Sequence, residues 1–295
     1  MDPLQFLTTA SVAIVAGKGG VGKTTVTAVL ARAAILRGLR VLVIELDGKP
    51  TLGRLLPGVE VQQLSATAAL AEYLDTHGLS RVTKRLASRG IIDVVATASP
   101  GIDDIVVLGK IKQLERSGLY DLVVVDGPAA GHAITFLLAA KSLLSSVRSG
   151  PIHTQASEVA DMLADPARCQ VVLVTLPETT PVNEAVETAY ALEDRVGVHL
   201  APIVVNGVDL GPALAADAAP ADSPMRLAAE FRNARRALHQ SECARLADEL
   251  ALPQLHLPQV AGSQLAAADV NGLAAHWADP TGTLEGPAGP TEVAP

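Results

Sequence analysis

Aromatic residues are scarce in this chain. Phe, Trp and Tyr make up only 2% of its 295 residues, whereas 49% are hydrophobic. A large core must therefore be aliphatic, and the runs Leu122 to Val125, Val171 to Val174 and Ile203 to Val205 are typical of parallel strands covered on both faces. This composition excludes disorder over most of the chain and predicts a layered α/β fold.

Cysteine is nearly absent as well. Cys169 begins an apolar strand candidate, and Cys243 lies in a helical stretch far along the chain. The two residues form no CxxC pair and match no zinc-ligand spacing. We interpret them as inert or buried thiols.

Two further absences concern membranes and nucleic acid. No charged segment precedes a signal-type apolar stretch, and no run approaches the roughly 20 apolar residues that span a bilayer. These features predict a cytoplasmic protein without a transmembrane segment.

The net charge of −8 provides no global basic field for nucleic acid. One predicted helical region does carry several arginines, and a solvated helix face is our interpretation of it, with a nucleic-acid patch as the alternative. The arginines are Arg226, Arg232, Arg235, Arg236 and Arg245.

A glycine-rich segment, Gly17–Thr25, is the most informative feature that is present. It follows the apolar run Val12 to Ala16 and leads into a stretch, Thr25 to Leu36, with helical spacing. Strand, glycine loop and helix together form the context of a phosphate-binding loop, so we prefer this interpretation to a chance match. The predicted nucleotide-binding residues are Gly17, Gly19, Gly20, Val21, Gly22, Lys23, Thr24 and Thr25.

Each residue type in this loop has a chemical role in binding a phosphate group or its metal ion. Glycines let backbone N–H groups turn toward a polyphosphate, and the helix N-terminus adds partial positive charge. Lys23 can reach the β- and γ-phosphates, and the Thr24 hydroxyl can bind Mg²⁺. The loop therefore predicts a nucleoside triphosphate site.

Strand and helix candidates alternate along the chain, which predicts a doubly wound, mainly parallel sheet with helices on both faces. We expect strands near 11–16, 41–46, 92–97, 121–126, 171–176, 202–206 and 254–257, and helices near 101–117, 131–147, 181–195 and 263–276. We expect one ATPase-type domain over 1–278, with a helical excursion around 211–250. The Pro- and Gly-rich segment 279–295 is predicted to be a disordered tail.

Two strand ends carry carboxylates beside the predicted phosphate site. Asp47 follows the second strand and can orient an attacking water in line with the γ-phosphoryl group, although it can also cap the next turn. Glu45 is the weaker candidate for the same role.

Asp126 ends another apolar strand and is the natural acid on the magnesium side. The segment after it predicts a switch loop of Gly127, Pro128, Gly131 and His132. His132 can equally serve as a hydrogen-bonded residue that holds the loop.

The loop resembles the deviant Walker A motif, because Lys18 directly follows its first glycine. In that class the equivalent "signature" lysine reaches the nucleotide of the partner subunit. The class includes cell-division and partition ATPases, nitrogenase iron proteins, arsenite-pump ATPases (ArsA) and tail-anchored-protein targeting ATPases.

Further segments narrow the resemblance to the branch of ArsA and the tail-anchored-protein targeting ATPases. Pro100–Asp104 is similar to its PGxDE segment, Asp126–His132 to its switch, and Val174–Glu178 to one of its strand ends. The resemblance covers about residues 11 to 276. It implies that Lys18 acts in trans, that Asp47 activates water, and that Asp126 lies on the metal side. It further implies that Asn206 and Pro258 contact adenine.

Departures from this branch are equally informative. The first switch usually has the sequence D-P-A-H, but here it is Asp47-Gly48-Lys49-Pro50. The arsenite-binding cysteine cluster and a dimer-bridging CxxC zinc site are absent, which argues against a metalloid-pump subunit. No long methionine-rich insertion occurs between Leu144 and Cys169, so a transmembrane-segment client is not expected. The pattern looks closest to short actinobacterial ArsA-like proteins.

These features predict a Mg²⁺-dependent ATPase that binds ATP, dimerises around nucleotide and switches a surface for an unknown protein client. The dimer can be a homodimer or a heterodimer with a related ATPase subunit, and no nucleic acid is expected. One alternative is a non-hydrolysing ATP-sensing scaffold or a subunit of a heteromeric ATPase. Another is a partition- or division-type positioning ATPase.

Overall fold

The structure is a computed structural model that describes residues 4–46, 50–76, 101–220, 223–260, 262 and 264–278. Within these residues the chain forms one seven-stranded sheet. Its strands are β1 Val12–Gly17, β2 Val41–Glu45, β3 Glu60–Gln63, β4 Leu122–Ala129, β5 Cys169–Thr175, β6 Ile203–Val208 and β7 Gln254–Pro258.

Helices cover both faces of this sheet. Those described are α1 Phe6–Thr9, α2 Lys23–Leu36, α3 Thr51–Leu55, α4 Ala66–Thr76, α5 Ile102–Arg116, α6 Ala130–Ser146, α7 Pro151–Ala164, α8 Thr179–Ala191, α9 Pro224–Glu249 and α10 Ala267–Ala278. Helix α8 continues into a π-turn, Leu192–Val196, and a 3₁₀ turn at Ala216–Ala218 precedes α9. No helix of the described residues is both long and apolar enough to cross a membrane.

The strand order is β3-β2-β4-β1-β5-β6-β7, and every neighbouring pair is parallel. The predicted doubly wound parallel sheet is therefore confirmed. From the central strand β1, the chain extends to one side through β2 and to the other through β5. Ligands bind at the carboxyl ends of strands where such a sheet changes direction, so this topology favours a site at the end of β1.

Aliphatic side chains fill the core on both sides of the sheet. All six residues of β1 and all five of β2 are buried, as expected for strands covered on both faces. One core layer packs under α5 to α8 and the C-terminal half of α9, and the other packs under α1, α2, α3 and α10. Neither layer depends on aromatic residues, although Phe6, Phe136 and Trp277 contribute to them.

The structure departs from the sequence predictions at β3. We expected no strand between those near 41–46 and 92–97, but Glu60–Gln63 forms an edge strand beside β2 before α4 begins. This strand is short, and none of its residues is buried, so it lacks the apolar pattern that marks the other strands. The predicted strand at 92–97 and the predicted tail at 279–295 lie outside the described residues.

A second departure is the length of β4, which we expected to end at Asp126. The strand continues to Ala129, and α6 begins at Ala130, so the segment predicted as a switch loop is strand and helix. Gly127 explains the extension, because a Cβ there would lie 2.4 Å from the carbonyl oxygen of Val15 on β1. Only glycine allows the two strands to approach this closely.

The region between Leu144 and Cys169 contains helix α7, which pattern reasoning did not identify. Its single methionine, Met162, is fully buried in the core. Through this side chain, helix α7 packs against the core on one face of the sheet.

Candidate functional site

The glycine-rich segment joins β1 to α2 at the carboxyl edge of the sheet. Gly22 precedes α2 with a φ of 91°, and a Cβ there would lie 2.2 Å from Nδ2 of Asn206. A Cβ on Gly17 would lie 2.4 Å from the carbonyl oxygen of Val174. Both positions require glycine because neighbouring strands pack directly against the loop. This packing fixes the path of the loop at the N-terminus of α2.

Two hydroxyl groups on α2 bind the carboxylate of Asp126. Thr24 Oγ1 donates a hydrogen bond to Oδ2 at 2.8 Å, and Thr27 Oγ1 donates to Oδ1 at 3.2 Å. The first turn of α2 is thereby joined to β4. Sequence reasoning did not identify Thr27, which is completely buried. The missed signal was its position three residues after Thr24, which places both hydroxyls on one face of the helix.

The Thr24 and Asp126 oxygens fit a magnesium ion. Mg²⁺ prefers oxygen ligands and usually takes few from the protein, completing its shell with water and substrate phosphates. Among the described residues, no group of three or more His, Cys, Asp or Glu side chains could hold a metal ion. A metal held by Thr24 and Asp126 would complete its shell with water and phosphate oxygens.

Both lysines of the loop have partners within the chain. Lys18 Nζ donates to Oε1 of Glu184 on α8, and its side chain is 55% exposed. Lys23 Nζ donates to the carbonyl oxygen of Lys18 at 3.3 Å. The sequence assigned no partner in cis to Lys18, because Glu184 lies far along the chain and carries no motif of its own.

The acidic candidates after β2 differ in what the structure describes. Asp47 lies outside the described residues. Glu45 is buried, and its Oε1 accepts hydrogen bonds from the backbone N–H groups of Thr51 at 3.3 Å and Leu52 at 3.4 Å. Its other oxygen accepts a bond from the Gln63 side chain. Glu45 therefore caps α3 and links it to β3.

One of the switch candidates, His132, lies close to the start of α5. His132 is exposed in the first turn of α6. Burial raises the pKa of Asp104, the neighbouring Asp103 raises it further, and nearby His132 lowers it. Asp103 and Asp104 belong to the segment that resembles PGxDE, and Pro100 of that segment lies outside the described residues. The fold thus brings part of this segment close to His132.

The two residues expected to contact adenine lie on neighbouring strands. Asn206 pairs with Leu257 in the β6–β7 register, one residue before Pro258. In addition, Asn206 Nδ2 donates a hydrogen bond to the carbonyl oxygen of Val21 at 2.9 Å. This second contact, which sequence reasoning did not predict, ties the end of β6 directly to the glycine loop.

The cysteines remain apart from this site. Cys169 is completely buried at the start of β5, and burial raises the pKa of its thiol to about 12. Such a thiol stays protonated and unreactive near neutral pH. Cys243 is half-buried on α9, and burial raises the pKa of this thiol too.

A separate cavity of about 540 Å³ lies between α4, α5 and α7. Lys110 pairs with Glu72 at its wall, and Lys112 pairs with Glu158. These charges are matched within the chain. The cavity does not adjoin the glycine loop.

Comparison with known proteins agrees with these features. The profile of the family described as anion-transporting ATPase matches residues 10–149. ATPase BagA of Mycobacterium tuberculosis is 30% identical over 295 aligned residues, which cover 84% of this chain and 86% of that protein. An arsenical pump-driving ATPase of Escherichia coli is 30% identical over 210 residues, covering 64% of this chain and 33% of that protein.

A putative arsenical pump-driving ATPase of Halobacterium salinarum is 27% identical over 222 residues, covering 64% of this chain and 34% of that protein. The chain therefore spans about a third of each arsenical-pump relative but most of the mycobacterial one. The match along most of both chains confirms the resemblance found in the motifs. This chain belongs to the ArsA-like, anion-transporting ATPase family.

Proposed function

We propose that this protein is a Mg²⁺-dependent ATPase that forms a nucleotide-dependent dimer and uses ATP binding and hydrolysis as a conformational switch. The hydrogen bond from Thr24 to Asp126 carries the proposal. It holds a phosphate-loop hydroxyl and a carboxylate together at the N-terminus of a helix, beside Lys23. This arrangement can receive a polyphosphate and its metal.

The residues would divide the chemistry as follows. Backbone N–H groups of Gly19 to Thr25 would hold the phosphates, and Lys23 would leave the Lys18 carbonyl to bind the β- and γ-phosphates. Thr24 and Asp126 would hold the metal, whose charge stabilises the phosphates as negative charge develops. Asp47 would orient the attacking water. Each role consists of positioning and charge stabilisation, which dominate phosphoryl transfer.

The base would lie at the ends of β6 and β7. Asn206 Nδ2 donates to the Val21 carbonyl, and the Oδ1 of the same amide group is a hydrogen-bond acceptor. An acceptor suits the exocyclic amino group of adenine, whereas guanine presents a carbonyl oxygen at the equivalent position. We therefore propose ATP as the nucleotide, with Pro258 on the adjacent strand.

The dimer would depend on Lys18. More than half of this side chain is exposed, and its bond to Glu184 is of the weak, solvent-screened kind. Its release toward the nucleotide of a partner subunit would therefore cost little. The partner can be a second copy or a related subunit, and the whole cycle would act on an unidentified protein client. We place the protein in the cytoplasm, with residues 1–278 as one ATPase domain.

The test combines steady-state phosphate release with light-scattering mass, with and without Mg²⁺-ATP. Wild type, Lys18→Ala and Asp47→Asn are compared, with Lys141→Ala as a control for an exposed lysine outside the loop. We expect Asp47→Asn to lower turnover by about 10²- to 10⁴-fold while the dimer persists. Lys18→Ala should lose both turnover and the ATP-dependent increase in mass.

Other outcomes would redirect the proposal. ATP-dependent dimerisation without phosphate release in wild type would favour the non-hydrolysing scaffold, which the altered first switch at Asp47 to Pro50 motivates. Retention on DNA that requires ATP and falls with salt would favour a positioning ATPase. Turnover unchanged by Asp47→Asn would contradict the assigned water-orienting role.

A further inference from the structure

Thr27 lies about one turn into helix α2, and its side chain is completely buried. Its hydroxyl donates a hydrogen bond to Oδ1 of Asp126 at 3.2 Å, whereas the Thr24 hydroxyl donates to Oδ2 at 2.8 Å. Two donors of one helix therefore bind the two oxygens of one carboxylate. Because only Oδ2 is bonded to the threonine of the phosphate loop, Thr27 and Thr24 differ in what they can do for Asp126.

Threonine hydroxyls inside helices can bond to the carbonyl oxygen three or four residues earlier in the same helix. Thr188 on α8 follows this pattern, because it donates to the carbonyl oxygen of Glu184 at 2.6 Å. The pattern also holds for Thr135 on α6 and Thr154 on α7. The Thr27 hydroxyl instead donates across to strand β4. Its partner is thus set by the packing of α2 on the sheet and by the position of Asp126.

The acceptor distinguishes this bond from one that only joins a helix to a sheet. Asp126 is a carboxylate, and hydrogen bonds to an ionised acceptor are stronger than those between neutral groups. Carboxylates that bind a metal are commonly held in this way by a second partner, which fixes their orientation. The Thr27 hydroxyl therefore has the chemistry of a group that orients a metal ligand.

The orientation of Asp126 matters because a carboxylate can turn about its Cβ–Cγ bond. Terminal torsions of this kind have broad energy wells, so one hydrogen bond leaves the plane of the group poorly defined. The bond from Thr27 to Oδ1 restricts this rotation. Oδ2 then stays beside the Thr24 hydroxyl, and both atoms are oxygen ligands of the type that Mg²⁺ prefers.

We propose that Thr27 is a positioning residue for the metal ion: by holding Oδ1 of Asp126, it keeps Oδ2 beside Thr24, where the metal of a bound nucleotide is received. The inference rests on the proposed function, because it needs a metal at Thr24 and Asp126. Thr27 is not itself a ligand in this scheme, since its buried hydroxyl acts through Asp126. Its loss should therefore weaken metal binding and leave metal-free nucleotide binding unchanged.

The experiment titrates Mg²⁺ into protein mixed with a fluorescent, non-hydrolysable ATP analogue, starting from EDTA. It measures the Mg²⁺ concentration that gives half of the metal-dependent increase in analogue binding. Thr27→Val removes the hydroxyl and should raise this concentration at least about tenfold, as expected for the second partner of a metal ligand. Thr27→Ser keeps the hydroxyl and should stay close to wild type. Affinity for the analogue in EDTA should be the same in all three proteins.

Thr188→Val is the matched control, because Thr188 is also buried but donates within its own helix. It should respond to Mg²⁺ like wild type. Urea denaturation checks that each variant is folded, and Thr27→Ala, which also lacks the hydroxyl, replaces Thr27→Val if the valine variant does not fold.

The outcomes separate this inference from the proposed function. If wild type binds the analogue more tightly with Mg²⁺ and Thr27→Val responds to Mg²⁺ equally well, the positioning role is overturned and the proposed function stands. If analogue binding by wild type does not depend on Mg²⁺ at all, both are overturned. Equal weakening in Thr27→Ser and Thr27→Val would also overturn the positioning role, because packing of the methyl group would then be responsible.

Discussion

The glycine-loop region and helix α9 differ in what their side chains contact: bonded groups of the same chain in the first, solvent in much of the second. In the loop region, Thr24, Thr27 and Asn206 bond to groups of the same chain, and neighbouring strands leave no space beside Gly17 and Gly22.

On α9, Arg232, Asn233 and Arg236 are bonded within the chain, but four apolar positions in register face solvent. These positions are Leu227, Phe231, Ala234 and Leu238.

This difference teaches what each region needs in order to function. Bonds within the chain hold the loop groups in place before any ligand arrives, which favours electrostatic stabilisation without reorganisation. The apolar face of α9 gains free energy only when another surface covers it. Four variants in and around these two regions sharpen the comparison, because we expect them to differ in whether they change turnover, the free energy of unfolding or dimerisation.

The largest effect should come from Lys23→Ala. This change removes the positive charge that we assign to the β- and γ-phosphates, while among the described residues the Lys23 side chain makes one long bond, of 3.3 Å. Phosphate release at saturating ATP should fall by about 10²- to 10³-fold with little change in the free energy of unfolding. Lys141→Ala serves as the control, and equal turnover in the two variants would contradict the assigned role.

Gly22→Ala should show how tightly the loop region is packed. Both Gly20 and Gly22 have positive φ values, of 87° and 91°, so alanine is strained at either position. Only at Gly22 would the new Cβ meet Asn206, whereas a Cβ at Gly20 has no neighbour within 4 Å. Displacing Asn206 from Val21 should lower the free energy of unfolding by about 1–3 kcal/mol more than Gly20→Ala does. Urea denaturation of the two variants measures this difference, and equal losses would show that strain alone is responsible.

Glu184→Gln tests the restraint on Lys18, the lysine that we expect to reach the nucleotide of a partner subunit. Removing the carboxylate frees Lys18, so the ATP concentration for half-maximal dimerisation should fall by about two- to fivefold, the range of an exposed ion pair. Glu187→Gln, an exposed residue on the same helix, is the control in the same light-scattering assay. A weaker dimer in Glu184→Gln than in Glu187→Gln would mean that Glu184 supports the contact and does not restrain Lys18.

The smallest effect should come from Asp209→Asn, which loosens the anchor of α9. Hydrogen bonds from Arg232 are the main reason that the pKa of Asp209 lies below its ordinary value of 3.8. A lowered pKa stabilises the fold above pH 3.8, and this contribution disappears as the pH falls through the lower folded-state value. At pH 7, Asp209→Asn should therefore lower the free energy of unfolding by up to about 1 kcal/mol.

Denaturation curves from pH 7 to pH 2 check this dependence, because the wild-type advantage should shrink at the acidic end. Asp217→Asn is the control: Asp217 also faces an α9 arginine, at 3.3 Å, but its side chain is 96% exposed. Its substitution should change stability by less, since solvent screens that pair. An advantage of wild type over Asp209→Asn that grows toward low pH would have the wrong sign for this explanation.

Sequence patterns predicted the structure best where the residues needed for phosphate binding also form elements with clear local signals. The residues Val12 to Thr25 combine an apolar strand, a glycine loop and a helix start, and each element has its own local signal. The strand β3 gave no such signal, because its four residues include no buried side chain and their pairing with β2 depends on tertiary contacts. Helix α7 was missed although Met162 packs in the core.

The site shows the same division between residues that a motif identifies and residues that have no signal in the sequence. Thr24 and Asp126 were assigned from motifs, but Thr27 lies inside α2, where a buried hydroxyl looks like any other helical residue until Asp126 faces it. Glu184 and Val21 were missed as partners of Lys18 and Asn206, because side-chain pairs separated by long stretches of chain leave no mark in a single sequence. Asp47 remains a prediction from the motif.

The sequence by itself determined the family, the parallel α/β class and the position of the glycine loop, because these depend on local periodicity and on residue types with few conformational alternatives. Tertiary structure alone decided which groups come into contact: Lys18 with Glu184, Asn206 with the backbone carbonyl of Val21, and α9 with the loop after β6. Those contacts depend on strand order and register, which bring together residues that are far apart along the chain.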